Sequence, residues 1–223
     1  MDRGGSVNNM VKRYIKLILG LFLVAAGMVI IINADLGYSP WDVFHQGLSN
    51  IFGIKIGTAN ILVGVVIIVA GMIMGEMPGV GTILNMFLIG GFMNVLMDLQ
   101  LLPIFSNTVV RLLTIPVGMI VIGFGSYSYI SAGFGTGPRD GLMVLLMDKT
   151  GRSVRFIRNS IEITVLVIGF FLGGPVWIGT VMVSFGLGYA LQFVFGLFDF
   201  DPNQVDHRGW NDEMKALRRI FKK

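Results

Sequence analysis

The sequence contains no cysteine and little charge. Without cysteine, the chain of 223 residues cannot form disulfides, use a thiolate nucleophile or bind a metal through sulfur. Charged residues make up 13% of it, about half the share found in a soluble domain, while hydrophobic residues make up 54%. Few charges combined with long apolar runs indicate that lipid is the solvent for most of the chain.

Signatures of enzymes and of nucleic-acid binding are also missing. The sequence has no phosphate-binding loop, no HExxH motif and no Ser-His-Asp set that its spacing supports. The net charge of +4 is concentrated in a few loops and at both ends, so it indicates orientation in a bilayer better than binding of nucleic acid. We therefore expect no enzyme, no cofactor, no metal site and no nucleic-acid partner.

Six apolar stretches are long enough to cross the roughly 30 Å hydrocarbon layer of a bilayer. The fifth is the least apolar, because Arg158, Asn159 and Glu162 lie at its start. The first follows basic residues as a signal peptide would, but it lacks a small-residue cleavage site, so we interpret it as a retained helix. The predicted spans are Tyr14–Ile32, Gly57–Gly75, Thr82–Leu101, Leu112–Ile130, Ile161–Phe171 with its flanks, and Ile178–Leu197.

Basic residues predict the orientation of these spans. If the N-terminus faces the cytoplasm, fifteen of the 17 Lys and Arg residues lie on the cytoplasmic side and only Lys55 and Arg111 on the other. This bias follows the positive-inside rule. Both termini are therefore expected in the cytoplasm.

The sequence repeats itself, without a gap, after a shift of 98 residues. Eight glycine pairs coincide over about 89 positions, where the 31 glycines of the chain predict roughly two by chance. The matched pairs include Arg13 with Arg111, Gly20 with Gly118, Gly27 with Gly125, Ala34 with Ala132, Gly37 with Gly135, Pro40 with Pro138, Asp42 with Asp140, Gly81 with Gly179 and Gly90 with Gly188.

Each repeat contains three spans, an odd number, so the second repeat must enter the membrane upside down. We predict an all-α membrane protein of six spans in two inverted repeats, 13–101 and 111–199, with a cytoplasmic segment 1–12 before them. The tail, 200–223, has apolar and basic residues at helical spacing and is expected to lie as an amphipathic helix on the inner leaflet. Inverted repeats are typical of secondary transporters, whose halves rock around a shared site; the alternative is a duplication that only built a stable bundle.

A matched loop follows the first span of each repeat. The first reads Asn33-Ala-Asp-Leu-Gly-Tyr-Ser-Pro-Trp-Asp42 and the second Ser131-Ala-Gly-Phe-Gly-Thr-Gly-Pro-Arg-Asp140. Ser39 is the expected N-cap of a helix that begins with Pro40 and carries Asp42 as its third residue. The helices that follow, about Trp41–Phe52 and Arg139–Lys149, are too short to span, which is typical of re-entrant or broken segments that line a cavity.

Inversion would bring the two short helices together with their N-termini near the middle of the membrane, where they attract anionic or polar groups. We predict a substrate site there, in which Trp41 could stack on a ligand and Arg139 could pair with its charge. The alternative is that Asp42 and Asp140 only cap helices while the glycines permit close packing. The predicted site residues are Gly37, Ser39, Trp41, Asp42, Gly135, Thr136, Gly137, Arg139 and Asp140.

Ion or proton coupling through Asp42, Asp140 or Glu162 is a further hypothesis, since carboxylates inside membranes often lie on ion paths. Glu162 follows Arg158 by one helical turn, so a neutral structural pair is the competing interpretation. His45 is expected to be a packed or interfacial histidine.

The first loop, continued to Leu48 and followed by Gly57-Thr-Ala-Asn60, resembles the YczE-like branch of the YczE/YyaS/YitT membrane proteins. The Gly135-Thr-Gly-Pro-Arg-Asp-Gly141 stretch is similar to that family's second signature. The resemblance implies a multi-pass protein of the bacterial inner membrane and a family regarded as candidate transporters. It brings no established catalytic residues.

These observations favour a small secondary transporter or facilitator for a polar or charged small molecule, working by alternating access. Two other classes stay open: a non-transporting accessory protein of an enzyme complex, and a substrate-binding subunit of a larger transporter. The expected partners are the lipid bilayer and an unidentified small molecule, with a homodimer or larger membrane complex also open.

Overall fold

The computed structural model describes residues 7–75, 77–135 and 137–205. Within these ranges the chain is entirely helical, with eight α-helices and a 3₁₀ turn at Pro202–Gln204. The amphipathic helix expected in the tail falls on residues 206–223, outside the described ranges. The helices are α1 Val7–Ala34, α2 Pro40–Phe52, α3 Ile56–Ile73, α4 Val80–Asp98, α5 Thr108–Ser131, α6 Pro138–Thr150, α7 Val154–Phe171 and α8 Ile178–Leu197.

Five of these helices, α1, α3, α4, α5 and α8, are long and apolar enough to cross a membrane. Each coincides with a predicted span. The remaining predicted span coincides with α7, which has the same length as α3, 18 residues, but carries Arg155, Arg158 and Glu162 in its first half. The all-α fold with several membrane-length helices is thus confirmed, while the sixth span rests on the sequence.

The two short helices begin and end as their sequences predict. Ser39 has extended backbone angles, and its hydroxyl accepts a hydrogen bond from the backbone N–H of Asp42 at 3.3 Å, so it is the N-cap of α2. Gly137 precedes α6 without a side chain to cap it. Both helices stop at a glycine in the left-handed conformation, Gly53 with φ 63° and Gly151 with φ 65°, a conformation that costs glycine nothing.

Helix α1 lies at the centre of the bundle and runs antiparallel to α5. Four α1 residues one turn apart, Leu17, Leu21, Ala25 and Val29, have no exposed surface at all. The two helices cross through glycines: a Cβ added to Gly27 would lie 2.6 Å from the carbonyl oxygen of Gly118. A Cβ added to Gly20 would likewise lie 2.8 Å from the carbonyl oxygen of Gly125. Small residues therefore allow the two backbones to touch.

Contacts around this crossing occur in matched pairs, one for each sequence repeat. The Arg13 guanidinium donates to the carbonyl of Ala132 at 2.6 and 2.8 Å, and Arg111 donates to the carbonyl of Ala34. In the same way the N–H of Gly81 donates to Phe134 and the N–H of Gly179 donates to Leu36, at 2.9 and 2.6 Å. Residues 98 positions apart thus occupy equivalent places in the two halves.

The outer helix pairs, α3 with α4 and α7 with α8, are not packed in the same way. Helix α3 packs tightly on α4, since a Cβ on Gly90 would lie 2.4 Å from the carbonyl oxygen of Gly57, and Asn94 donates to the Thr58 hydroxyl at 3.0 Å. Around Gly188, the counterpart of Gly90 on α8, a Cβ would meet no atom of the described residues within 4 Å. Helices α7 and α8 are therefore apart where α3 and α4 are in contact.

Candidate functional site

A cavity of about 820 Å³ lies between the two halves, and the N-termini of α2 and α6 both reach its wall. It extends into the gap between α7 and α8. Five predicted site residues line it: Ser39, Trp41, Gly137, Arg139 and Asp140. The two short helices are thus brought together at their N-termini, as the sequence predicts.

Gly37 and Gly135 are not among the lining residues. They have φ values of 97° and 115°, and each turns its loop against the start of another helix. A Cβ on Gly37 would lie 2.6 Å from the Thr180 hydroxyl, and one on Gly135 would lie 3.4 Å from the Thr82 hydroxyl. Their role in the structure is to hold the loops on α8 and α4. Thr136 lies outside the described residues.

Trp41 and Arg139, which occupy equivalent positions in the repeats, contact each other. The Arg139 guanidinium carbon lies 4.7 Å from the centre of the Trp41 ring, within the range of a cation–π interaction. Arg139 Nη2 also donates to Asn60 Oδ1 at 2.7 Å. Stacking and the hydrogen bond fix the plane of the guanidinium, which borders the cavity and so presents a positive charge there.

Asp42 lies behind this pair and does not line the cavity. It is 2% exposed, and its Oδ2 accepts a hydrogen bond from the Ser39 hydroxyl at 2.6 Å. Its Oδ1 lies 3.5 Å from His45 Nδ1, and the His45 side chain is fully buried. Ser39 is thus the cap of α2, while the Asp42 carboxylate accepts from the Ser39 hydroxyl and has His45 as its second neighbour.

The remaining polar wall comes from α3, α4, α5 and α7. Asn60 and Asn85 are buried at 8% and 9% exposure, and a Cβ on Gly137 would lie 3.1 Å from Asn85 Oδ1. Glu162 pairs with Arg158 at 3.1 Å, so the predicted pair one turn apart is confirmed. Both residues line the part of the cavity next to α8.

His45 is the site residue that sequence reasoning missed. The expected packed histidine is confirmed, since its side chain is fully buried, but it also adjoins Asp42 and borders the cavity. Its spacing of three from Asp42 on a helix with a well-defined start places both on one face, which could have predicted their contact but not the position of His45 at the cavity. Neither of its ring nitrogens has a hydrogen-bond partner among the described residues.

The arrangement suits binding of a small polar molecule. Cavities of 300–1,000 Å³ are of the size that small ligands occupy. The partly buried guanidinium of Arg139, an aromatic ring and buried amides converge on this cavity, and both short helices point their N-termini at it.

Comparison with known proteins places the chain among uncharacterized relatives. Residues 11–195 match the model of a family of unknown function, DUF6198. The chain is 36% identical to the uncharacterized membrane protein YczE of Bacillus subtilis, over 82% of this chain and 86% of the relative. It is 31% identical to an uncharacterized protein of Haemophilus influenzae over 81% and 82% of the two chains. It is 26% identical to the uncharacterized protein YyaS of Bacillus subtilis over 79% and 89%.

No solved structure matches the chain. The family match covers most of the sequence, including both short helices and the cavity between them. The chain therefore belongs to the DUF6198 family of membrane proteins, in its YczE-like branch.

Proposed function

We propose that the protein is a small secondary transporter or facilitator for a polar or charged small molecule, working by alternating access between two inverted repeats. The observation that carries the proposal is the cavity formed where the N-termini of α2 and α6 meet, together with two unequal helix pairs beside it. Helices α3 and α4 are in contact, which we call the closed α3–α4 seam. Helices α7 and α8 are apart, which we call the open α7–α8 seam.

Six spans and two inverted repeats are part of this proposal. The antiparallel crossing of α1 and α5, with matched contacts from Arg13 and Arg111, supports opposite insertion of the two halves. Helix α7 would be the sixth span, because its charges lie in its first half and Glu162 is neutralised by Arg158. Its last turns pack on α2, where a Cβ on Gly169 would lie 2.5 Å from the backbone N of Phe44.

The two seams are what alternating access between such repeats requires. In one state one seam is open and its counterpart is closed; in the other state the two exchange roles. With both termini in the cytoplasm of a bacterial cell, the open α7–α8 seam would face inward. Residues at the closed seam are small or apolar, Gly57 and Gly64, whereas their counterparts are Arg155 and Glu162, which suit a wet passage.

Recognition of the substrate would fall to Arg139, Trp41 and Asn60. The stacked guanidinium offers a fixed positive charge, and the uncapped N-terminus of α6 adds backbone donors beside it. Asp140, in the first turn of α6, supplies a negative charge to the same cavity. A substrate with both a negative and a positive or donor group fits this distribution.

Binding is tested first. A library of small metabolites is screened for thermal stabilisation of the purified chain, and hits are then tested for counterflow in proteoliposomes that contain no other protein. Stabilisation with counterflow is expected of an autonomous carrier. Stabilisation without counterflow indicates a binding subunit, and no stabilisation by any metabolite indicates an accessory protein.

The seams are tested separately by thiol labelling. Because the chain has no cysteine, single variants can be read without a background. Ser184 lies on α8 at the open seam and is exposed, so it is replaced in Ser184→Cys. Its counterpart Met86 is 5% exposed and packs against Gly64, and Met86→Cys is the matched variant. A membrane-impermeant maleimide should label Ser184→Cys from the cytoplasmic side much faster than Met86→Cys from either side. Equal labelling of both would contradict the proposed state.

A further inference from the structure

The Asp42–His45 pair is a buried titratable group that substrate binding by Arg139 leaves unused. His45 has no exposed surface, borders the cavity and has no hydrogen-bond partner for either ring nitrogen among the described residues. A buried polar ring without partners is unfavourable. A histidine in such a place therefore suggests a functional role.

Asp42 is held so that one of its oxygens faces the ring. The Ser39 hydroxyl donates to Oδ2 at 2.6 Å, which leaves Oδ1 directed at His45 Nδ1 over 3.5 Å. A carboxylate at one imidazole nitrogen stabilises the protonated ring and leaves the other nitrogen to take up the proton. In His45 that other nitrogen is Nε2, and the ring lies at the cavity wall.

The charges around His45 come from two helices. The Asp42 carboxylate on α2 lies 3.5 Å from the ring, and the Arg139 guanidinium on α6 contacts the neighbouring Trp41. Arg158 and Glu162 on α7 line the same cavity but pair with each other. Helix α3 contributes the uncharged Asn60, which is bound to Arg139. Trp41 separates the two potential cations, with its ring centre 6.2 Å from that of His45 and 4.7 Å from the Arg139 guanidinium.

We propose that His45 binds a proton from the cavity, with Asp42 as its positioning residue, and that the carrier is coupled to protons through this pair. Nε2 has no exposed surface in this state, so the transfer takes place when a side-chain movement at the wall opens the ring to the cavity. A hydronium ion then gives its proton to Nε2 and leaves as water, and the imidazolium is stabilised by the Asp42 carboxylate. This inference rests on the proposed transport function and names its coupling ion. It assigns that role to His45 and Asp42 in place of Asp140 or Glu162.

The proton itself is the probe for the first experiment, so no substrate is required. Proteoliposomes are adsorbed on a solid-supported membrane, and the transient current after a jump in pH is recorded for wild type, His45→Gln and His207→Gln. The last variant makes the same change at the other histidine of the sequence. Wild type and His207→Gln should give equal transients, and His45→Gln should lose most of the charge moved.

Asp42→Asn is compared in the same way with Asp148→Asn, an exposed carboxylate on the other short helix. Asp42→Asn should move the pH midpoint of the transient to lower pH, since the imidazolium loses its carboxylate, and Asp148→Asn should leave it unchanged. A transient that persists in His45→Gln, or that is absent in wild type, would overturn the assignment.

A second measurement does not depend on the His45 variant folding. In the His207→Gln chain, diethyl pyrocarbonate can react with one histidine only, and its rate at His45 is read by peptide mass spectrometry. The rate should rise with pH through one step and fall when a stabilising metabolite fills the cavity. A pH-independent rate, or no reaction at any pH, counts against proton binding, while the metabolite screen and counterflow report on transport itself.

Discussion

At the scale of single residues, the equivalent positions 41 and 139 carry different side chains, and these side chains contact each other. Position 41 is a tryptophan and position 139 an arginine, and the guanidinium lies on the indole ring. A pair of identical arginines would repel each other, and a pair of identical tryptophans would carry no charge. The contact thus combines a side chain of α2 with a side chain of α6.

Arg139 should dominate binding. Arg139→Ala removes the stacked charge and the bond to Asn60, and Arg139→Lys keeps the charge without the planar donors. A charge-assisted hydrogen bond is worth about 1.5–3 kcal/mol, so affinity for metabolites found by thermal shift should fall about tenfold to a hundredfold. Arg152, which lies over Phe156 in an exposed contact, provides the matched control. Equal losses in Arg152→Ala would refute a specific role for Arg139.

Arg111 should contribute to the stability of the fold and not to ligand binding. It is one of only two basic residues predicted on the outer side, and it donates to the carbonyls of Ala34 and Asp35 at the end of α1. Arg111→Ala leaves these carbonyls without their partner and should lower the free energy of unfolding by about 1–3 kcal/mol. Lys55→Ala, which breaks an exposed pair with Asp98, should cost about 0–1 kcal/mol. Thermal unfolding in detergent compares the two variants.

At the scale of elements, the helices follow directly from the sequence. The Ser-Pro-x-Asp start of α2 could be predicted from the sequence, because an N-cap is a local feature. The places of Gly37 and Gly135 could not be predicted, since both depend on which helix the loop meets after folding. The proximity of His45 to the cavity likewise depends on how α2 packs against its neighbours, which no local pattern encodes.

Gly90 and Gly188 provide a matched test of the two seams. Gly90→Ala puts a methyl group 2.4 Å from the Gly57 carbonyl oxygen and should destabilise the chain by about 1–3 kcal/mol. The methyl group of Gly188→Ala would meet none of the described atoms within 4 Å, so this variant should be neutral or more stable by up to about 1 kcal/mol.

A larger side chain separates packing from transport. Gly188→Leu should leave the stability of the open α7–α8 state intact but prevent that seam from closing, so counterflow should be lost while binding persists. Stable protein with full counterflow in Gly188→Leu would argue against closure of α7 on α8.

At the scale of the whole molecule, the loops after α2 and α6 report its orientation. They contain Gly53 and Gly151, and a Cβ at either glycine would meet no atom within 4 Å in the part of the chain that the structure describes. Reporter tags inserted after each should therefore be tolerated. With the N-terminus in the cytoplasm, a tag at 53 should be accessible from the periplasm and a tag at 151 from the cytoplasm. Accessibility from one side for both would contradict inverted insertion.

The crossing of α1 and α5 has a consequence for energetics. Its glycine contacts stay the same when the two repeats are exchanged, because Gly20 contacts Gly125 and Gly27 contacts Gly118. The crossing therefore does not distinguish the two sides of the membrane. In the proposed carrier, the direction of net flux is set by the gradients of the substrate and the coupling ion. Positions where the repeats differ, such as 64 and 162, would change only the rates and affinities on the two sides of the membrane.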